Sequence, residues 1–152
     1  MSADYPTLAR TIAALTDGET DTIALMATLA CAIHHCDDRF DWTGFYRVTE
    51  PEILRIGPYQ GGHGCLFIPF SRGVCGAAAR TGEVQIVDDV DAFPGHIACA
   101  ASTRSEIVLP VRNGKGALLG VLDIDSDRPA AFTRADAAAL QSILDDTFRN
   151  VA

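Results

Sequence analysis

The sequence predicts an α+β domain, an antiparallel β-sheet with helices packed on its faces, as a single unit over residues 1–152. Three observations carry this. Apolar residues recur at helical spacing near both ends of the chain; from Asp41 the period falls from 3.6 to 2; and two pairs of alternating segments are joined by turn residues, Glu50-Pro51-Glu52 and Asn113-Gly114.

In chain order, Leu8, Ile12 and Leu15 in an alanine-rich background predict a first helix over about 4–16. A second is predicted over about 20–36, broken from the first at Gly18 and capped at Thr20, with Ile23, Met26, Ala27, Ala30 and Ile33 as its apolar face. The aromatic run Trp42 to Val48 reads as a strand with Trp42, Gly44, Tyr46 and Val48 on one face, and Ile53 to Gln60 is its hairpin partner. Cys65 to Pro69 reads as a short strand, with Cys65 and Phe67 opposite Leu66 and Ile68. Val74 to Arg80 reads as a short helix closed by Thr81-Gly82, and Val84 to Val87 as a strand.

Asp88 to Ser105 has no sustained period, yet Val90, Phe93, Ile97 and Ala98 predict a packed loop. Glu106 to Arg112 and Ala117 to Asp125 form the second hairpin, with Asp123 and Asp125 on the face opposite Leu122 and Ile124. Thr133, with Asp136 three residues on, starts a last helix that carries Ala137, Leu140, Ile143, Leu144 and Phe148.

Three of the five cysteines stand beside glycines or small residues: Cys65 in GGHGCLFIP, Cys75 in SRGVCGAAA and Cys99 in AFPGHIACA. That placement suggests reactive thiols rather than core filling. Cys75 falls in the first turn of the short helix, where unpaired amides favour a thiolate, so local physics nominates it as the nucleophile. Cys31 and Cys36, five positions apart on one helix, face different directions and read as packing or surface residues.

With 48% apolar residues and no long apolar run, the chain is neither disordered nor membrane-spanning. The acidic N-terminus lacks a basic region ahead of a cleavage site, which predicts a cytoplasmic protein, and there an odd cysteine count favours redox or metal chemistry over structural disulfides. A net charge of −8 without any basic stripe disfavours nucleic-acid and anionic-membrane partners.

Six segments taken together are highly specific: Trp42-Thr43-Gly44-Phe45-Tyr46, Gly57-Pro58-Tyr59-Gln60-Gly61, Gly73-Val74-Cys75-Gly76, Ala92-Phe93-Pro94-Gly95-His96-Ile97-Ala98-Cys99, Ser105-Glu106-Ile107-Val108 and Gly120-Val121-Leu122-Asp123-Ile124-Asp125-Ser126. They resemble the free methionine-(R)-sulfoxide reductases, single GAF domains turned to catalysis, from about residue 40 to 126. The resemblance implies that Cys99 attacks the sulfoxide, overruling the local choice of Cys75, and that Cys65 or Cys75 resolves the product as a disulfide. It implies that Glu106, Asp123 and Asp125 are the pocket carboxylates and that Trp42 and Tyr46 wall the pocket around the methyl end. A thioredoxin-like dithiol is the implied reductant, with no cofactor and no metal. A homodimer is one option for the assembly. Two positions depart from the family pattern: Ala100 stands where an acidic residue is usual, and Gly64, where alanine is usual, is expected to loosen the loop bearing Cys65.

The chemistry accounts for these residue types. Thiolate attack on a sulfoxide requires the departing oxygen to be protonated, and crowded carboxylates keep a proton near neutral pH because like charges cannot all ionise. Two rival readings exist. One is a non-catalytic GAF sensor of small molecules, disfavoured because the reacting groups are all kept. The other is a zinc site built from His63, Cys65, His96 and Cys99, whose spacing matches no usual zinc motif.

Overall fold

The structure, a computed structural model, describes residues 3–152. Four α-helices, α1 (Tyr5–Leu15), α2 (Thr22–His34), α3 (Gly73–Thr81) and α4 (Arg134–Phe148), accompany six strands. These are β1 (Trp42–Glu50), β2 (Ile53–Gln60), β3 (Phe67–Pro69), β4 (Gln85–Val87), β5 (Ser105–Arg112) and β6 (Leu118–Ser126). The sheet order is β3-β2-β1-β6-β5-β4, and every neighbouring pair is antiparallel. The predicted α+β class and element order hold.

Alternation along the strands gives the sheet two apolar faces. Phe45, Ile107, Leu109, Val111, Leu122 and Ile124 meet the buried sides of α1, α2 and α4. Trp42, Tyr46, Leu54, Val108 and Val121 look the other way, towards Val74, Cys75 and Ala78 of α3. The long connection from β4 to β5 lies on that second face and contains one 3₁₀ turn, Val90–Ala92.

The caps explain the helix boundaries. Asp4 accepts from the Thr7 N–H at the start of α1, and Asp21, not Thr20, caps α2 by accepting from the Ala24 N–H. Thr133 and Asp136 form the reciprocal capping box of α4. Asp136 also accepts from the Tyr5 hydroxyl at 2.6 Å and from the Arg39 guanidinium at 2.9 and 3.1 Å, tying α1, α4 and the α2–β1 loop together. Gly82 ends α3 with φ of +70°, a left-handed residue suited to glycine.

Two further expectations change. The buried side of α2 is Leu25, Met26, Leu29, Ala30 and Ile33, while Ile23 is 46% exposed and Ala27 is exposed. This helix is apolar on most of its circumference, so periodicity alone does not fix which side faces the sheet. The strand predicted from Cys65 is shorter, Phe67–Pro69; Cys65 precedes it, and Leu66 and Phe67 are both exposed at the sheet edge. Among the described residues no helix is long and apolar enough to cross a membrane.

Candidate active site

The register of three adjacent strands assembles the site. On β6, Asp123 lies opposite Gly44 and Asp125 opposite Trp42 of β1. On β5, Glu106 lies opposite Asp125, and Val108 opposite Asp123. Trp42, Tyr46, Glu106, Asp123 and Asp125 therefore share one face, while Leu122 and Ile124 are in the core beneath. Gly44 has a steric reason: a Cβ there would overlap the Trp42 ring and the Tyr59 Cβ. Trp42 stacks between Tyr59 (centroids 5.3 Å apart) and Tyr46 (6.0 Å), and its indole N–H donates to the Gly62 carbonyl at 2.8 Å.

From the other side α3 supplies Cys75, and the β4–β5 loop supplies His96, Ile97, Cys99 and Thr103. The β2–β3 loop contributes His63 and Gly64. Cys65 and Cys99 are joined by a disulfide that bridges these two loops, with Cα atoms 5.3 Å apart. Cys31, Cys36 and Cys75 are free. The cavity at the site is partly open and measures about 30 Å³, small for an amino acid while the disulfide ties the two loops.

Gly64 does not loosen its loop. A Cβ there would sit 2.9 Å from the Trp42 ring, 3.0 Å from Ile56 and 3.1 Å from the Tyr46 oxygen, so the glycine lets the loop close tightly over the aromatic wall. Ala100 lines the pocket beside Cys99 and brings no charge to it.

Burial first, and then mutual repulsion, hold all three carboxyls well above the ordinary carboxylate range: Glu106 faces the charge of Asp123, Asp123 that of Asp125, and Asp125 that of Glu106. They titrate as a coupled set that retains protons where isolated carboxyls have lost them. Oδ1 of Asp123 and Oδ1 of Asp125 are buried with no hydrogen-bond partner. His96 Nε2 approaches Glu106 Oε1 to 3.9 Å. Burial, followed by the charge of Asp123, likewise pushes the Tyr46 phenol above its usual value.

The same environment overturns Cys75 as the local choice of nucleophile. Cys75 is 3% exposed, and burial, then the charges of Asp123 and Glu106, push its thiol well above the ordinary value. Desolvation and two acidic neighbours outweigh the partial charge at the end of a nine-residue helix. Cys75 Sγ and one oxygen each of Glu106 and Asp123 lie within 4.8 Å of one another, the one group with metal-holding geometry among the described residues. A metal there would require loss of a proton that the site strongly retains. Cys65 and Cys99, two of the four ligands weighed from the sequence, are bonded to each other.

All eight residues selected from the sequence converge. Thr103 joins the lining without any earlier role, Ile68, Gly73, Val74 and Ile97 join it from segments read only for their structure or resemblance, and His96 and Gly64 belong to it for reasons other than those first considered.

A single curled sheet with α3 and a long loop closing a pocket over its second face defines a GAF domain, and the GAF domain family profile matches residues 5–147. The chain is 46% identical over 134 residues to protein YtsP of Bacillus subtilis, covering 88% of this chain and 82% of that one. It is 41% identical over 140 residues to the free methionine-R-sulfoxide reductase of Escherichia coli, covering 92% and 84%. The structure of the reduced form of the Staphylococcus aureus reductase superposes with a TM-score of 0.93 at 35% identity, covering 99% of this chain and 97% of that one. The chain belongs to the free methionine-R-sulfoxide reductase family.

Proposed function

We propose that this protein is an enzyme that reduces free methionine (R)-sulfoxide to methionine, with Cys99 as the attacking thiol and Cys65 as the resolving one. The observation that carries the reading is the Cys65–Cys99 disulfide placed over a pocket of three proton-retaining carboxyls. The E. coli relative, whose name states this activity, supports the substrate.

Cys99, as thiolate, attacks the sulfoxide sulfur. The oxygen leaves the substrate with a proton from the Glu106, Asp123 and Asp125 set, giving methionine and a sulfenic acid on Cys99. The Cys65 thiol then attacks the Cys99 sulfur; water departs and the disulfide forms. An external dithiol of the thioredoxin class reduces that disulfide and is itself oxidised. Trp42 and Tyr46 supply the apolar wall for the methyl end, and the buried Cys75 thiol stays protonated beside the carboxyls.

Intact-mass and peptide analysis after one turnover tests the scheme. Reduced protein mixed with free methionine (R)-sulfoxide, without added reductant, should release one methionine per chain, lose two hydrogens and yield a peptide linking Cys99 to Cys65. A link to Cys75, or methionine release without loss of hydrogens, would overturn the assignment.

A further inference from the structure

The surface beside the Cys65–Cys99 disulfide differs from the rest of the molecule. Leu66 and Phe67, which follow Cys65 directly, are 74% and 56% exposed, and the strand they lead into, β3, is an outer strand of the sheet. The Ile56 N–H donates to the Leu66 carbonyl at 3.0 Å, Leu54 pairs with Ile68, and the Phe70 N–H donates to the Glu52 carbonyl at 3.0 Å. Residues 66, 68 and 70 thus turn their backbone groups towards β2, and alternation turns the N–H and C=O of Phe67 to the open edge.

Arginines also collect here, beside Glu50 and Glu52 at the β1–β2 turn. Between Glu52 and Glu83 the chain carries Arg55, Arg72 and Arg80 and no carboxylate, in a protein of net charge −8. All three arginines gather at this edge. Arg55 lies 5.8 Å from the Phe67 ring centroid, the Arg72 N–H donates to the Pro69 carbonyl at 3.2 Å, and the Arg80 guanidinium donates to the Phe70 carbonyl. Arg55 meets Glu50 at 3.3 Å; among the described residues the side chains of Arg72 and Arg80 pair with no carboxylate.

We propose that Leu66, Phe67 and these arginines form the docking surface for the dithiol protein that resets the disulfide, a thioredoxin-class partner that is acidic around its thiols. The proposal rests on the recycling step of the function proposed above. An apolar contact flanked by Arg72 and Arg80, whose side chains have no carboxylate partner, complements such a partner, and the free edge at Phe67 offers it backbone pairing. A second copy docking through the same patch would set arginines against arginines. The partner's thiolate attacks Cys65 Sγ, which adjoins the patch; the S–S bond breaks and Cys99 leaves as a thiolate. The partner's second thiol then displaces Cys65 from the mixed disulfide, so the partner is oxidised by two electrons and both protein thiols are restored.

The test uses the oxidised full-length protein without any sulfoxide, following disulfide reduction by intact mass with either a thioredoxin kept reduced by its reductase or dithiothreitol. Leu66→Asp, Phe67→Asp and Arg72→Glu should each lower kcat/KM for thioredoxin by about tenfold or more and leave the dithiothreitol rate unchanged. A thioredoxin variant lacking its second thiol should be trapped on Cys65. Wild-type protein that no thioredoxin reduces would sink the recycling reading itself. Wild-type and variant proteins reduced equally by thioredoxin, or variants slowed equally with dithiothreitol, would sink the docking surface alone, as would conversion of a dimer to a monomer by Leu66→Asp without any change in reduction rate.

Discussion

Glu106 stands directly opposite Asp125 across the β5–β6 ladder, with Asp123 two residues further along the same face. Directly opposed side chains in an antiparallel pair come within about 5 Å, and like charges there repel. Because the folded carboxyls hold protons that the unfolded chain releases, their contribution to stability is full below the ordinary carboxylate values of about 4 and declines as pH rises through the raised folded values. Activity should fall over the same alkaline direction as the set loses the proton it donates. Glu106→Gln should stabilise the fold above neutral pH, by removing a repelling charge, while lowering the single-turnover rate by about 10²- to 10⁴-fold. A rate that stays level as pH rises, or a Gln variant as fast as wild type, would contradict this.

The disulfide fixes how the three cysteines of the site should differ. Cys99→Ser should abolish methionine release. Cys65→Ser should release one methionine per chain and then stall as a sulfenic acid detectable with a dimedone-type reagent. Cys75→Ser should still form the Cys65–Cys99 bond, because the buried, protonated Cys75 takes no part in it. Failure of the Cys75 variant to form that bond in a peptide map would contradict this division of roles.

A cavity of about 30 Å³ with the disulfide in place predicts that binding depends on redox state. The β2–β3 and β4–β5 loops, tied by the disulfide, must separate before an amino acid can enter. Titration calorimetry should find methionine sulfoxide binding to the reduced Cys99→Ser protein and none to the oxidised wild type. Equal affinity in both would mean that the disulfide does not close the pocket.

Away from the site, Asp136 is held at a pKa of about 2, because hydrogen bonds from Arg39 and Tyr5 and from the Thr133 backbone outweigh the effect of burial. That contribution to stability is present above the ordinary value of 3.8 and is lost as pH falls through about 2. Asp136→Asn leaves Arg39 with one carboxylate partner, Asp37, and should destabilise the protein by about 3 kcal/mol in urea unfolding near neutral pH. The loss should shrink under acid conditions. A change within about 0.5 kcal/mol would mean that Asp136 is no more than a surface charge.

The sequence revealed the strands best where alternation was strict. Leu122, Asp123, Ile124 and Asp125 point to opposite faces as their order requires, and the register then brings Glu106 and Trp42 to the same place. It was less informative where the deciding quantity is long-range. Nothing near Cys75 in the chain records that Glu106 and Asp123 will enclose it, so the helix-end argument gave the wrong sign for its pKa. The side of α2 that faces the sheet was ambiguous because apolar residues nearly surround it. The choice of Cys65 over Cys75 as partner of Cys99 depended on the fold of an eighteen-residue connection without periodicity.

The last prediction concerns the substrate's amino group. Asp123 and Asp125 each bury one oxygen that meets no donor, in a pocket that has more carboxyls than one proton transfer uses. A buried acceptor without a partner is costly, and an α-ammonium is a donor of the right charge. Only the free amino acid carries that group; a residue within a peptide does not. A charge-assisted hydrogen bond is worth roughly 1.5–3 kcal/mol, so N-acetylation should lower kcat/KM by about ten- to a hundredfold or more. Asp125→Asn should narrow that gap, because the amide still accepts a hydrogen bond but no longer favours a cation. The measurement is kcat/KM for the R epimers of free and N-acetylated methionine sulfoxide, on wild type and on Asp125→Asn. Equal rates on the two compounds with wild-type enzyme would mean that the carboxylates do not read the amino group, and selectivity for the free amino acid would have to be sought elsewhere in the pocket.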